Sequence, residues 1–200
     1  MKKTLLISTL LCLPLVGHAQ NYGGFEGGWA SIDIGAKTTA QTLANLSGST
    51  VTYRYDTGAV AGRVFVGFPM TDSVSLEVGG FMTGDVKATY TISGASATES
   101  YSGQGVDISA VFKPESGSFF LKAGMHSSTV DGNASIRIGG TTYAAGASKS
   151  GTGFLMGVGG ESKLDDKSAI RYAATYYDKL GGISGADATL FTIGYVVRFD

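Results

Sequence analysis

Phe191-Thr192-Ile193-Gly194-Tyr195-Val196-Val197-Arg198-Phe199-Asp200 closes the 200-residue chain and decides how the rest is read. Side chains in a strand alternate between faces. Phe191, Ile193, Tyr195, Val197 and Phe199 therefore form one wholly apolar face, opposite Thr192, Gly194, Val196 and Arg198. A half-buried strand of a soluble protein shows the same alternation. A strand that ends a chain with an aromatic next to its terminus fits the closing strand of a transmembrane barrel better.

Upstream of this stretch, seven further segments alternate with period two, and from Gly28 onward no amphipathic helix or long apolar run competes with them. The predicted strands lie near 29–37, 58–68, 74–83, 104–113, 119–127, 152–163, 168–178 and 188–199. Each has about the ~9–11 residues that a tilted strand needs to cross a membrane. The connections alternate in length. Thr38–Thr57, Gly84–Gly103, Ser128–Gly151 and Lys179–Asp187 are long, whereas Pro69–Ser73, Pro114–Ser118 and Leu164–Lys167 are tight and rich in turn formers. An even strand count with long and short connections on opposite sides predicts an all-β, eight-stranded antiparallel up-and-down transmembrane β-barrel with both termini on the short-turn side, the periplasm of an outer membrane.

The two faces differ in chemistry. One is assigned Ala30, Ile32 and Ile34, then Val60, Val64, Val66, Phe68 and their counterparts in the later strands, and carries no charge. The other carries Ser31, Asp33, Arg63, Glu77, Asp107, Lys122, His126, Glu161, Arg171 and Arg198 among small residues. A soluble barrel hides the apolar face, while a membrane barrel turns it to lipid. Phe68, Phe112, Phe119 and Phe199 at the tight-turn ends suggest an interfacial girdle, with Tyr172 and Tyr176 placed toward the other rim, so lipid is expected outside.

The N-terminus carries Lys2 and Lys3, an apolar run from Leu5 to Val16, and Gly17-His18-Ala19, the pattern of a secretory signal cleaved after Ala19. Residues 1–19 are thus read as signal peptide and 20–200 as one barrel domain. Cys12 lies inside the apolar run and is not read as an acylation site; the mature chain keeps no cysteine, so disulfides are not expected to rigidify it. The 16 acidic residues slightly outnumber the basic ones, which is no footprint for nucleic acid. With His18 removed, one histidine remains, too few for a His-based metal site, and no cofactor is expected. Thirty-one glycines fit tight bends and crowded interiors.

Glu77, Gly105-Val106-Asp107-Ile108-Ser109, Phe120-Leu121-Lys122-Ala123-Gly124, Gly157-Val158-Gly159-Gly160-Glu161 and Ile193–Phe199 follow one another in the order and spacing of a known family. Over essentially the whole mature chain the sequence resembles the OmpA-like and OmpX-like eight-stranded outer-membrane barrels, which include opacity-type adhesins. Two departures stand out: Asp200 follows the phenylalanine that normally ends such chains, and no peptidoglycan-binding domain follows the barrel. The resemblance implies contact with outer-membrane lipid and lipopolysaccharide, and assembly by the barrel-assembly machinery reading Phe191, Ile193, Tyr195, Val197 and Phe199.

Arg63 and Glu77 would face each other in a hairpin centred on Met70, and Glu161 and Arg171 in one centred on Asp166. With Asp107 and Lys122 they make a candidate interior network, since charges in a narrow lumen must be paired to offset desolvation. The expected role is a closed polar core; the sharper alternative is a gated ion path in a small transport pore. His126 and Ser128 share a face, as a hydrolase pair does, and resemble the His and Ser of barrel-borne lipid A deacylases, yet they lack an evident carboxylate partner and point away from lipid, so no enzyme is expected. Gly27-Gly28-Trp29 matches the start of lipocalins, and an interfacial tryptophan explains it equally well. The resulting expectation is a monomeric surface protein whose four long loops carry its interactions, in adhesion, host-factor contact or envelope integrity. Tyr53, Tyr55, Tyr90, Tyr101 and Tyr143 are its loop aromatics, either packing anchors or a contact surface.

Overall fold

The closing stretch pairs with the beginning of the chain. In a computed structural model, which describes residues 20–33, 35–92, 95–115 and 117–199, β10 (Asp187–Phe199) runs antiparallel to β1 (Asn21–Asp33) from Asn21 opposite Phe199 to Asp33 opposite Asp187. The expected signal segment 1–19, with Cys12 and His18, and the positions of Ile34, Ser93, Gly94 and Asp200 lie outside the described residues.

Between these ends come β2 (Thr52–Asp56), β3 (Gly58–Pro69), β4 (Val74–Thr83), β5 (Val86–Ile92), β6 (Ala95–Phe112), β7 (Phe119–Ile138), β8 (Thr141–Lys163) and β9 (Ser168–Tyr177). The antiparallel pairings β1–β3, β3–β4, β4–β6, β6–β7, β7–β8, β8–β9, β9–β10 and β10–β1 close an eight-stranded barrel. Closure leaves the barrel wall without a free edge. The three tight turns fall where the sequence places them, between β3 and β4, β6 and β7, and β8 and β9.

At the opposite end the architecture departs from a barrel with simple loops. The segments read as long connections 84–103 and 128–151 are largely strand: β6, β7 and β8 continue past the barrel, and β5 pairs with β6 and β2 with β5. The result is an outer sheet, β2-β5-β6-β7-β8, standing on the barrel rim. Small residues such as Gly, Ser and Ala carry little strand preference, so cross-strand pairing decides this region rather than local composition.

The expectation of no helix is also corrected, because α1 (Ala36–Ser47) takes the end of the predicted strand 29–37 and the first part of the connection 38–57. It starts at Gly35 without a side-chain cap and stops at Gly48, whose φ of 61° is the left-handed conformation that ends helices. Ala36 and Ala40 bury against Ala88 and Tyr90 of β5, with Leu43, Val51, Tyr55 and Ala97 alongside. Ala36, Ala40 and Leu43 face the sheet, and two of these three are alanines, which leaves the apolar period too weak to read as an amphipathic helix.

The faces of the barrel are as different in space as in sequence. Phe25, Val60, Val64, Met82, Val106, Leu121, Met125, Met156, Val158, Phe191 and Ile193 point outward and are exposed, while Glu26, Arg63, Glu77, Asp107, Lys122, Glu161 and Arg171 are buried inside. That arrangement excludes the lipocalin-like alternative, and Trp29 is half exposed on the outer wall.

The first strand corrects its predicted limits and parity. It begins at Asn21, not near Trp29, and Ala30 and Ile32 point inward while Ser31 and Asp33 are exposed. The reason is that the interior is layered. Ala30, Ile32, Ala59, Ala61, Phe81, Val86, Val130, Leu155, Tyr177, Leu180, Ala188 and Leu190 form an apolar cluster at the long-connection end; the charged residues lie beneath it toward the tight turns. A rule of polar inside and apolar outside therefore fails in the upper layer. Tyr172 is likewise corrected: it is the fifth residue of ten in β9 and covers Gly160, so only Tyr176, whose ring is 6.3 Å from Phe154, stands near the long-connection rim.

Candidate functional site

Glu77 is the hub of the lower lumen. It projects inward from β4; Arg171 Nη1 donates to its Oε1 at 2.5 Å, Tyr22 Oη donates to the same oxygen at 3.0 Å, and Arg63 Nη1 donates to Oε2 at 3.1 Å. Arg63 also grips Asp107 in a two-pronged contact, Nη2 to Oδ1 at 2.7 Å and Nε to Oδ2 at 3.0 Å. Arg171 contacts Glu161 Oε1 through Nε at 3.0 Å and Nη2 at 2.6 Å. The planar guanidinium suits such forked pairing. Both guanidinium groups also lie over Phe65, 4.9 and 4.5 Å from its ring centre.

The hairpin registers explain these contacts. Glu161 is directly opposite Arg171. Arg63 is opposite Phe81 and Glu77 opposite Gly67, so the turn centres on Asp72 rather than Met70, and the long arginine side chain spans the offset. The offset is what lets one carboxylate serve two arginines from different hairpins.

Several members of the network were not legible as such. Glu26 is held at the edge of the network: its Oε2 accepts from Thr192 Oγ1 at 3.1 Å and its Oε1 lies 3.9 Å from Arg171 Nη1, a long ion pair. It sits among Gly23, Gly24, Gly27 and Gly28, which mask the strand period. The inward alternation of Tyr22 and Glu26 is the signal that reveals it. At the tight-turn mouth, Glu161 Oε2 receives Lys113 Nζ at 2.5 Å and Arg198 Nη2 at 3.0 Å. Lys122 is buried with its stem against Gly157 and makes none of these ion pairs.

His126 and Ser128 project into the upper lumen and serve the connection between β9 and β10. His126 Nε2 is 2.7 Å from the backbone oxygen of Asp178, and Ser128 Oγ accepts the backbone N–H of Gly181 at 2.9 Å. The imidazole also packs edge-on to Phe81 and Tyr177. These bonds draw the Leu180–Gly182 turn inward, so that Leu180 joins the apolar cluster. At Gly153 a side chain is sterically excluded, because a Cβ would fall 2.0 Å from that Asp178 oxygen. Neither His126 nor Ser128 is directed at the other. Among the described residues, no group of three or more His, Cys, Asp or Glu side chains is placed to hold a metal ion.

The outer sheet divides the loop aromatics. Tyr90 is buried beneath α1, Tyr55 donates to the backbone oxygen of Ile32, and Tyr101 donates to Glu99 at 3.1 Å. Burial and the Glu99 carboxylate push the Tyr101 phenol up to about 12. Tyr53 and Tyr143 are exposed, and Ile136 and Ile138 join them as exposed apolar side chains.

No curated protein matches the chain in sequence. Among solved structures it is similar to Ail, the attachment invasion locus protein of Yersinia pestis, in complex with the heparin analogue sucrose octasulfate, at 11% identity and a TM-score of 0.48, covering 90% of this chain and 99% of that one. Neisserial surface protein A is similar at 14% identity and a TM-score of 0.43, covering 90% and 97%. OprG of Pseudomonas aeruginosa is similar at 10% identity and a TM-score of 0.46, covering 92% and 98%. The OmpA-like transmembrane domain matches residues 17–200. Closed barrel, apolar outer wall and charged interior agree with that match, and the chain belongs to the OmpA-like transmembrane domain family of outer-membrane β-barrels.

Proposed function

We propose that this outer-membrane barrel is a non-enzymatic surface-interaction protein, with both termini in the periplasm and the outer sheet displayed to the exterior. The observation that carries the reading is a division of labour along the barrel axis. The lumen is filled by the ionic network below and the apolar cluster above, while β7 and β8, of 20 and 23 residues, extend far beyond a membrane-crossing length. An eight-stranded barrel has interior room for side chains only. About ten residues of each long strand remain outside the bilayer, roughly 30 Å at ~3.3 Å per residue. His126 and Ser128 are engaged in holding a backbone turn, which supports a non-enzymatic role.

The adhesion reading is tested with cells displaying the wild-type chain or a variant in which 131–148 is replaced by a short turn. Binding to host-cell or matrix-coated surfaces is expected from the wild type and not from the variant, with both barrels heat-modifiable on gels. Equal binding by the two would overturn it. Single-channel recording in planar bilayers is expected to give no stable conductance, and a steady conductance that changes on Glu77→Gln would favour a transport pore instead.

A further inference from the structure

Among the described residues, the outer sheet has one edge that nothing covers. Residues Thr141–Ser150 of β8 are exposed on both faces and pair with β7 on one side only, since β9 joins β8 only from Leu155. The Leu180–Gly182 turn covers the part nearest the barrel, where Gly181 and Gly182 meet Lys149 and Gly151. Thr141–Ser148 is left with an open row of backbone donors and acceptors. Natural sheets protect such edges with charge, proline or bulges. The other edge, β2, carries Arg54 and Asp56 and has α1 beside it. Thr141-Thr142-Tyr143-Ala144-Ala145-Gly146-Ala147-Ser148 has neither charge nor proline.

Resting on the surface-interaction reading above, we propose that this edge pairs antiparallel with the same edge of a second copy of the chain on a facing membrane. The sequence is compatible with itself. A two-fold axis normal to the sheet, midway between the two Ala145 residues, keeps each side chain on its own face and sets Thr142 against Ser148, Tyr143 against Ala147 and Ala144 against Gly146. Each contact places a larger side chain against a smaller one, and no charge meets its like. Ile136 is the register partner of Tyr143 and Ile138 of Thr141, so both copies extend this face with exposed apolar rows. Strand direction fixes the geometry. β8 runs from the tip of the sheet down into its own barrel, so an antiparallel partner must run into a barrel on the other side of the contact. A strand pair this short is smaller than a stable dimer interface, which makes each contact weak and its effect dependent on many copies acting between two surfaces.

The test uses full-length protein reconstituted into fluorescent vesicles, outer sheet outward. Wild-type vesicles are expected to cluster with each other and not with empty ones. Ala145 is exposed, so Ala145→Lys and Ala145→Glu change charge without touching the core. Each alone is expected to lose clustering, because like charges meet at the axis, and a mixture of Lys-bearing and Glu-bearing vesicles is expected to regain it. Heat-modifiability on gels verifies that both variants are folded. Failure of wild-type vesicles to cluster, or failure of the mixture to recover, overturns self-pairing. If such vesicles still bind host-cell surfaces, the surface-interaction reading stands without it; if they bind nothing, both fall.

Discussion

Glu77 carries bonds from Arg63, Arg171 and Tyr22 at once, which makes it the residue whose loss the interior tolerates least. Glu77→Ala leaves two buried guanidinium groups short of a partner, and removing one member of a buried ion pair typically costs ~3–5 kcal/mol. The drop in urea midpoint in detergent micelles measures it. Exchanging the charges, Arg63→Glu with Glu77→Arg, looks benign from the sequence alone but is expected to cost at least as much. The new glutamate would face Asp107 and the new arginine would face Arg171. A clearly milder exchange would mean that the two hairpins act independently.

At the scale of elements, the β9–β10 connection is a lid drawn into the barrel mouth by two side chains and one glycine. Gly153→Val is expected to push Asp178 away and release Leu180 from the apolar cluster, seen as faster amide exchange over 178–183 with the lower barrel unchanged. Unaltered exchange would show that the turn holds without close backbone approach. The closing strand makes a different prediction. β10 pairs with β1 along 13 residues, and until it does its outward row of Phe191, Ile193, Val197 and Phe199 is an exposed apolar edge. If the assembly machinery reads this row, Phe199→Ala lowers the outer-membrane fraction far more than removal of Asp200. Equal fractions on cell fractionation would remove Phe199 from that role.

For the whole molecule, the apolar outer wall sets where it resides. Val64 is 62% exposed on that wall. Val64→Arg is expected to lose ~2–4 kcal/mol of stability in bilayers, as a charge on the lipid face near the midplane does, whereas Val64→Ile is near neutral. Folding titrations in lipid vesicles compare the two. Indistinguishable variants would place this wall away from the hydrocarbon.

Class, the number of barrel strands, the tight turns and most of the outward apolar rows were legible in the sequence because each follows from a local period of two and from turn chemistry. Arg63, Glu77, Asp107, Lys122, Glu161 and Arg171 were legible as inward charges for the same reason. Their partners were not, since a reach such as Arg171 to Glu77 joins residues 94 apart and depends on the offset of a hairpin turn and on barrel closure. Glu26 was hidden by glycines, and Ala30 and Ile32 were turned the wrong way because an interior layer can be apolar where a lid covers it. The outer sheet, α1 and the roles of His126 and Ser128 arise from tertiary structure. Small, weakly biased residues take the shape that their cross-strand neighbours and the inward pull of the β9–β10 turn impose on them.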